Sequence, residues 1–147
     1  MDIKIKKLHK NAMVPSSGTI DSAGYDLYSC FDDGQEITLD FMETKFIPTG
    51  ISIEIPRGFF GMVCPRSGLS IKNGITILNA PGIVDSDYRG ELKCILTNTS
   101  KMPFKIENNM RIAQILIIKH ESIRWIETND ELSKTDRGMG GFGSTGL

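Results

Sequence analysis

Three stretches of this sequence gather charged, hydroxyl-bearing and aromatic side chains in patterns capable of chemistry. Arg66-Ser67-Gly68 is placed where a strand ends and a short helix begins. A guanidinium, a Ser hydroxyl and free backbone N–H groups together make a phosphate cradle; taken alone, a Ser cap beside a surface Arg explains the same residues. Gly82-Ile83-Val84-Asp85-Ser86-Asp87-Tyr88-Arg89-Gly90-Glu91 sets two carboxylates, a phenol and a guanidinium behind a short β-branched run. Strand formers followed by Asp and Ser predict a hairpin, with the reactive groups at its bend. Asp85 and Asp87 repel each other, and a turn rich in Gly and Ser closes without either. Asn79, just before it, offers both a donor and an acceptor, enough to read a base edge or to satisfy a turn. Arg137-Gly138-Met139-Gly140-Gly141-Phe142-Gly143-Ser144-Thr145-Gly146 has five glycines in ten residues. Such a segment orders only with outside help. Its Arg, Phe and two hydroxyls suit a lid that closes on an anion and a base, against the plainer alternative of a frayed end.

Other groups are more ambiguous. Asp26 follows Gly24 and Tyr25 and fits an ion-pair acceptor for an arginine, or a metal partner acting through water. Arg111 and Gln114 bracket an apolar run, and strict alternation would send them to opposite faces unless Arg111 precedes the regular strand. His9 and His120 have no neighbouring motif and are expected at the surface.

The elements that must position these groups are short. The alternating stretches Ile3–Lys6 and Ile51–Ile55, the pieces Glu36–Leu39, Lys45–Gly50, Phe59–Val63, Ile75–Leu78, Glu91–Leu96 and Arg111–Ile118, and Ser122–Glu127 read as strands. Arg66–Lys72 is the one helix of any length. Many short strands with close turn signals predict an all-β barrel or double-sheet fold. The expected division is a β domain over residues 1–128 and a glycine-rich tail over 129–147.

Size and charge narrow the classes. The 147 residues suffice for one domain with a real core. With 17 basic and 18 acidic residues the net charge is -1, so no global field favours nucleic acid or membrane, and an anion must be met by local arginines. Three widely spaced cysteines, Cys30, Cys64 and Cys94, argue against a disulfide framework or a zinc site and for buried packing in a reduced compartment. No apolar run reaches membrane-spanning length. No secretory leader is recognised, so a cytoplasmic location is expected. A Walker-type loop and zinc-deaminase spacing are both lacking.

Five motifs in order resemble the homotrimeric dUTPases, the poxviral form above all: Ala23–Leu27, Pro65–Leu69, Gly82–Glu91, Arg111–Gln114 and Arg137–Gly146. The resemblance spans essentially the whole chain. It implies a jelly-roll-like β fold, a homotrimer whose active sites draw on all three subunits, and Mg²⁺-assisted hydrolysis of dUTP to dUMP and pyrophosphate. It further implies a viral protein of the host cytoplasm, which removes dUTP before uracil enters DNA and supplies dUMP for thymidylate synthesis. Carried over by position, Asp85 activates the attacking water and Tyr88 packs on the deoxyribose and rejects a 2′-hydroxyl. Asn79 and the backbone of Gly82, Ile83 and Val84 read uracil, and Lys93 closes that wall. Arg66, Ser67, Gly68 and Gln114 hold phosphates, and Asp26 orients metal-bound water or pairs with Arg111. Arg137, Gly143, Ser144 and Thr145 grip the terminal phosphate while Phe142 stacks on the base. Pro81 departs from the pattern: it cannot donate, so a base contact there must use a neighbouring amide. Two other readings are a regulatory binder on the same fold, which would not need Asp85, and a dCTP-handling relative, which the tail and the Asp85 stretch disfavour.

Overall fold

The computed structural model describes residues 1–141. Its strands are β1 (Lys4–Lys7), β2 (Tyr25–Tyr28), β3 (Glu36–Leu39), β4 (Thr44–Pro48), β5 (Ile51–Glu54), β6 (Phe59–Cys64), β7 (Ile75–Ile77), β8 (Gly82–Val84), β9 (Lys93–Asn98), β10 (Phe104–Glu107) and β11 (Arg111–Lys119), with one helix, α1 (Ser67–Asn73), between β6 and β7. The all-β expectation holds. Among the described residues the strands form four sheets, ordered β1-β5, β10-β3, β2-β11-β6-β8 and β4-β9-β7, and they do not close into a barrel. All pairings are antiparallel.

Period-two alternation explains the core. Ile47, Leu96, Ile75, Ile77 and Cys94 point inward from the β4-β9-β7 sheet, and Leu27, Ala113, Ile115 and Val63 from the larger one. Leu39 and Ile106, from the β10-β3 pair, are fully buried with them. Fully burying such a side chain contributes roughly 1.5–3 kcal/mol. Buried polar groups are paired: Asn98 donates to the carbonyls of Leu39 and Met102 at 2.9 and 2.8 Å. The helix starts at Arg66 as N-cap, which makes no side-chain cap bond, and ends at Gly74 in the left-handed region with φ 67.

Two expectations fail. The Gly82–Glu91 stretch is not a hairpin. Strand β8 pairs with β6, whereas β9 pairs with β4 and β7, so the segment crosses from one sheet to another. The turn itself exists, closed by Tyr88 N–H donating to the Asp85 carbonyl at 3.2 Å. Second, Ser122–Glu127 forms no strand. Ile123, Trp125 and Ile126 are 69%, 88% and 71% exposed, because a strand needs an edge to pair with and no described part of this chain offers one there. Among the described residues no helix is long and apolar enough to cross a membrane.

Candidate active site

Asp26 organises one polar cavity. It leaves β2 beside β11, and its Oδ1 accepts from Arg66 Nε at 2.8 Å while Oδ2 lies 3.4 Å from Arg111 Nη1. Arg66 Nη1 also donates to the Arg111 carbonyl at 3.3 Å. Of the two sequence readings for Asp26, the ion pair is therefore formed, and with two arginines rather than one. Gln114 Nε2 donates to the Pro65 carbonyl at 3.0 Å, so it braces the loop that carries Arg66. These groups, with Ser67, Gly68 and Cys64, line a cavity of about 580 Å³. Two positive groups, one carboxylate and an exposed Ser give it the side-chain chemistry that suits a polyanion.

Arg111 and Gln114 share this cavity because β11 is irregular. Against β2, Arg111 pairs with Tyr28 and Ala113 with Leu27, so an extra residue, Ile112, is accommodated as a bulge. One added residue cancels the alternation that would otherwise separate them. Arg111 is thus re-aimed while Ile112 and Ala113 remain buried.

A second cavity, about 300 Å³, is lined by Asn79, Ile83, Val84, Asp85, Tyr88, Glu91, Lys93 and the apolar Phe46, Leu92 and Ile95. Asp85 and Tyr88 share it because the turn after β8 breaks the period of two. Asp87 is exposed and lines neither this cavity nor the first. The Asn79 amide packs against Gly82, where a Cβ would sit 3.3 Å from its nitrogen. The two cavities share no lining residue. A third hollow, about 540 Å³, is lined mainly by Ile3, Ile5, Val14, Ile53, Ile115 and Ile117 and offers packing rather than chemistry.

The tail is placed only in part. Arg137 Nε donates to the Gly140 carbonyl at 2.8 Å, within its own turn. Phe142, Gly143, Ser144 and Thr145 lie outside the described residues. Among the described residues no group of three His, Cys, Asp or Glu side chains could hold a metal.

Several groups escaped the sequence reading. Glu91 marked only the end of a motif, yet its Oε1 accepts from the buried Gly50 N–H at 2.9 Å. The contact spans 41 residues, and no local pattern announces it. Cys64 is half-buried in the arginine cavity rather than in the core, whereas Cys30 and Cys94 are buried as expected. Burial alone pushes the Cys94 thiol up to about 12. His9 is not a bare surface residue: Nε2 lies 3.0 Å from Asp32 Oδ1 and Nδ1 3.3 Å from Cys30 Sγ. His120 is exposed and stands edge-on to Phe60.

Fold and cavities together define a β-sheet protein with one cavity lined by two arginines and another in which a carboxylate and a phenol stand beside apolar side chains. The sequence profile of the dUTPase family matches residues 10–146, and the chain belongs to that family. It is 49% identical over 146 residues to the deoxyuridine 5′-triphosphate nucleotidohydrolase of Rickettsia felis, covering 99% of this chain and 97% of that protein. The Rickettsia prowazekii protein of the same name is 47% identical, with 100% and 98% covered. Among solved structures, the Staphylococcus bacteriophage 80alpha dUTPase G164S mutant with dUpNHpp superposes with a TM-score of 0.89 at 27% identity, covering 99% of both chains. A phage phi11 dUTPase mutant, described for its coordination of a structural Mg(II) ion, shares the fold at 21% identity and a TM-score of 0.81, with 90% and 100% covered.

Proposed function

We propose that this chain hydrolyses dUTP to dUMP and pyrophosphate by attack of a water, held and deprotonated by Asp85, at the α-phosphorus. The single observation that carries the reading is the pairing of an arginine cavity with a second cavity in which Asp85 and Tyr88 converge, in a chain whose family hydrolyses this nucleotide. Arg66 and Arg111 meet phosphate charge as it builds on the leaving pyrophosphate. Asp26 pre-aims both guanidiniums before substrate arrives. Ser67, Gly68 and Gln114 complete the phosphate contacts. Asp85 is exposed, and among the described residues no cation lies within ion-pair distance of it, so its oxygens can accept from water. Tyr88 packs on the sugar, while Asn79 and the backbone from Gly82 to Val84 read uracil, with Lys93 beside them. A base presenting a donor where uracil has an acceptor leaves a donor facing a donor, which costs a few kcal/mol.

The two cavities share no residue in one chain, and this supports sites assembled between subunits of a homotrimer. The jelly-roll description of the fold, the viral origin and the poxviral kinship rest on the motifs alone; the curated relatives above are bacterial. The phosphate-gripping lid, built from Arg137, Phe142, Gly143, Ser144 and Thr145 on a tail from residue 129, rests on side-chain chemistry and family likeness, as does a cytoplasmic location.

The residues present fit Mg²⁺ held mainly by substrate phosphates and water. A single carboxylate, Asp26, faces the arginine cavity, and its Oδ2 contact to Arg111 is long at 3.4 Å, which leaves lone-pair capacity for a metal-bound water. The ion, when bound, supplies charge neutralisation at the phosphates.

Pyrophosphate release with dUTP, dTTP, dCTP and UTP tests the proposal, with Asp85→Asn alongside. Expected is strong preference for dUTP and a loss of at least about 100-fold in kcat for the variant. Equal rates on all four nucleotides, or an unimpaired Asp85→Asn, would refute it.

A further inference from the structure

We infer that Glu91 is a positioning residue for discrimination against ribonucleotides: it fixes the carbonyl on which the Tyr88 hydroxyl rests. This inference rests on Tyr88 being the sugar gate of the proposed function.

Tyr88 is half exposed, at 48%, so packing alone does not hold its ring. Two features do. Its hydroxyl donates to the Glu91 carbonyl at 3.0 Å. Its ring also lies across Gly90, where an added Cβ would overlap the hydroxyl and come within 2.6 Å of Cζ. Gly90 therefore leaves the room that this position of the ring uses; its backbone needs no left-handed conformation. The ring's position is then only as firm as the Glu91 backbone.

That backbone is anchored on both sides. The Glu91 carboxylate reaches out of the loop to the β4–β5 turn, where it accepts from the buried Gly50 N–H at 2.9 Å, with Lys93 Nζ 3.5 Å from its second oxygen. The following peptide is held by Leu92 N–H donating to the Ile51 carbonyl at 2.9 Å. The carboxylate thus does two things. It satisfies a buried donor for which no other acceptor is found among the described residues, and it ties the loop bearing Asp85 and Tyr88 to the turn between β4 and β5. Because Leu92 holds the same peptide plane, losing the carboxylate loosens the gate without removing it.

The test measures kcat/KM for dUTP and UTP in full-length wild type, Glu91→Ala, Glu91→Asp, Glu91→Gln, Tyr88→Phe and the Tyr88→Phe/Glu91→Ala double variant. Glu91→Ala is expected to raise the UTP/dUTP ratio about five-fold, the scale of one weakened hydrogen bond. Glu91→Asp, which keeps the charge but is one methylene too short to reach Gly50, rises similarly and serves if the alanine variant does not fold. Glu91→Gln keeps an acceptor oxygen and stays near wild type. The double variant is no less selective than Tyr88→Phe alone, because both changes act on one contact. A purely structural Glu91 would lower the urea midpoint of the alanine variant and leave the ratio unmoved; that result, with Tyr88→Phe still relaxing selectivity, overturns the role of Glu91 alone. A ratio insensitive to Tyr88→Phe overturns both the gate and its support.

Discussion

Replacing Asp26 by Asn tests the electrostatic centre of the arginine cavity without changing its shape. Asp26 bonds Arg66 at 2.8 Å with only 15% and 26% of the two side chains exposed, whereas its contact to Arg111 is 3.4 Å long and Arg111 is 55% exposed. With charge centres about 4 Å apart and an effective dielectric near 20, each pair gains roughly 4 kcal/mol before desolvation. Desolvation offsets much of the first pair, and solvent screens most of the second. A charge-assisted bond of the Arg66 kind retains about 2 kcal/mol, while the exposed Arg111 pair retains under about 1 kcal/mol. The expected coupling between Asp26→Asn and Arg66→Gln is therefore about 2 kcal/mol, and that between Asp26→Asn and Arg111→Gln under about 1 kcal/mol. Urea unfolding of the single and double variants at one fixed protomer concentration measures both, since subunit association would otherwise shift the midpoints. Turnover should follow: kcat/KM on dUTP in Asp26→Asn falls by about ten-fold or more as Arg66 loses its aim. A coupling indistinguishable from zero, or a larger coupling to Arg111 than to Arg66, would refute the ranking. An unchanged kcat/KM would show that pre-aiming Arg66 contributes nothing to the reaction.

Gly24→Ala acts on the same cavity: its Cβ would collide with Gln114 Oε1 and sit 3.2 Å from Cδ. Gln114 must swing away from the Pro65 carbonyl, at a cost of about 1 kcal/mol in stability and a raised KM for dUTP; a Gly24→Ala enzyme with wild-type KM contradicts the bracing role. Cys94 predicts an alkaline weakness. Its pKa is raised on folding from 9.0 to about 12, so its contribution is fully present below pH 9 and is lost as pH rises toward 12. The loss is ~1.4 kcal/mol per pH unit across that window. Urea midpoints at pH 8 and 10 should fall more steeply for wild type than for Cys94→Ala, and parallel slopes would refute this.

Much of the site's inventory was legible in the sequence by itself. The all-β class followed from short alternating strands and close turns, because burial of one sheet face imposes a period of two. Arg66-Ser67-Gly68 was visible as a phosphate cradle by side-chain type, Asp26 as a partner for an arginine or a metal-bound water, and the order of five motifs placed the chain among the dUTPases. What the tertiary structure decided was which of these groups meet. A bulge at Ile112 brings Arg111 and Gln114 onto one cavity, against the alternation that sequence alone predicts. The segment from Gly82 to Glu91 crosses between two sheets instead of folding back on itself, because β8 and β9 find better partners in β6 and in β4 and β7. The reach of Glu91 to Gly50 depends on two loops distant in sequence being pressed together by the core between them. Side-chain type is local and can be read residue by residue; contact depends on how sheets pack, and that is settled only when the whole chain buries its apolar faces at once.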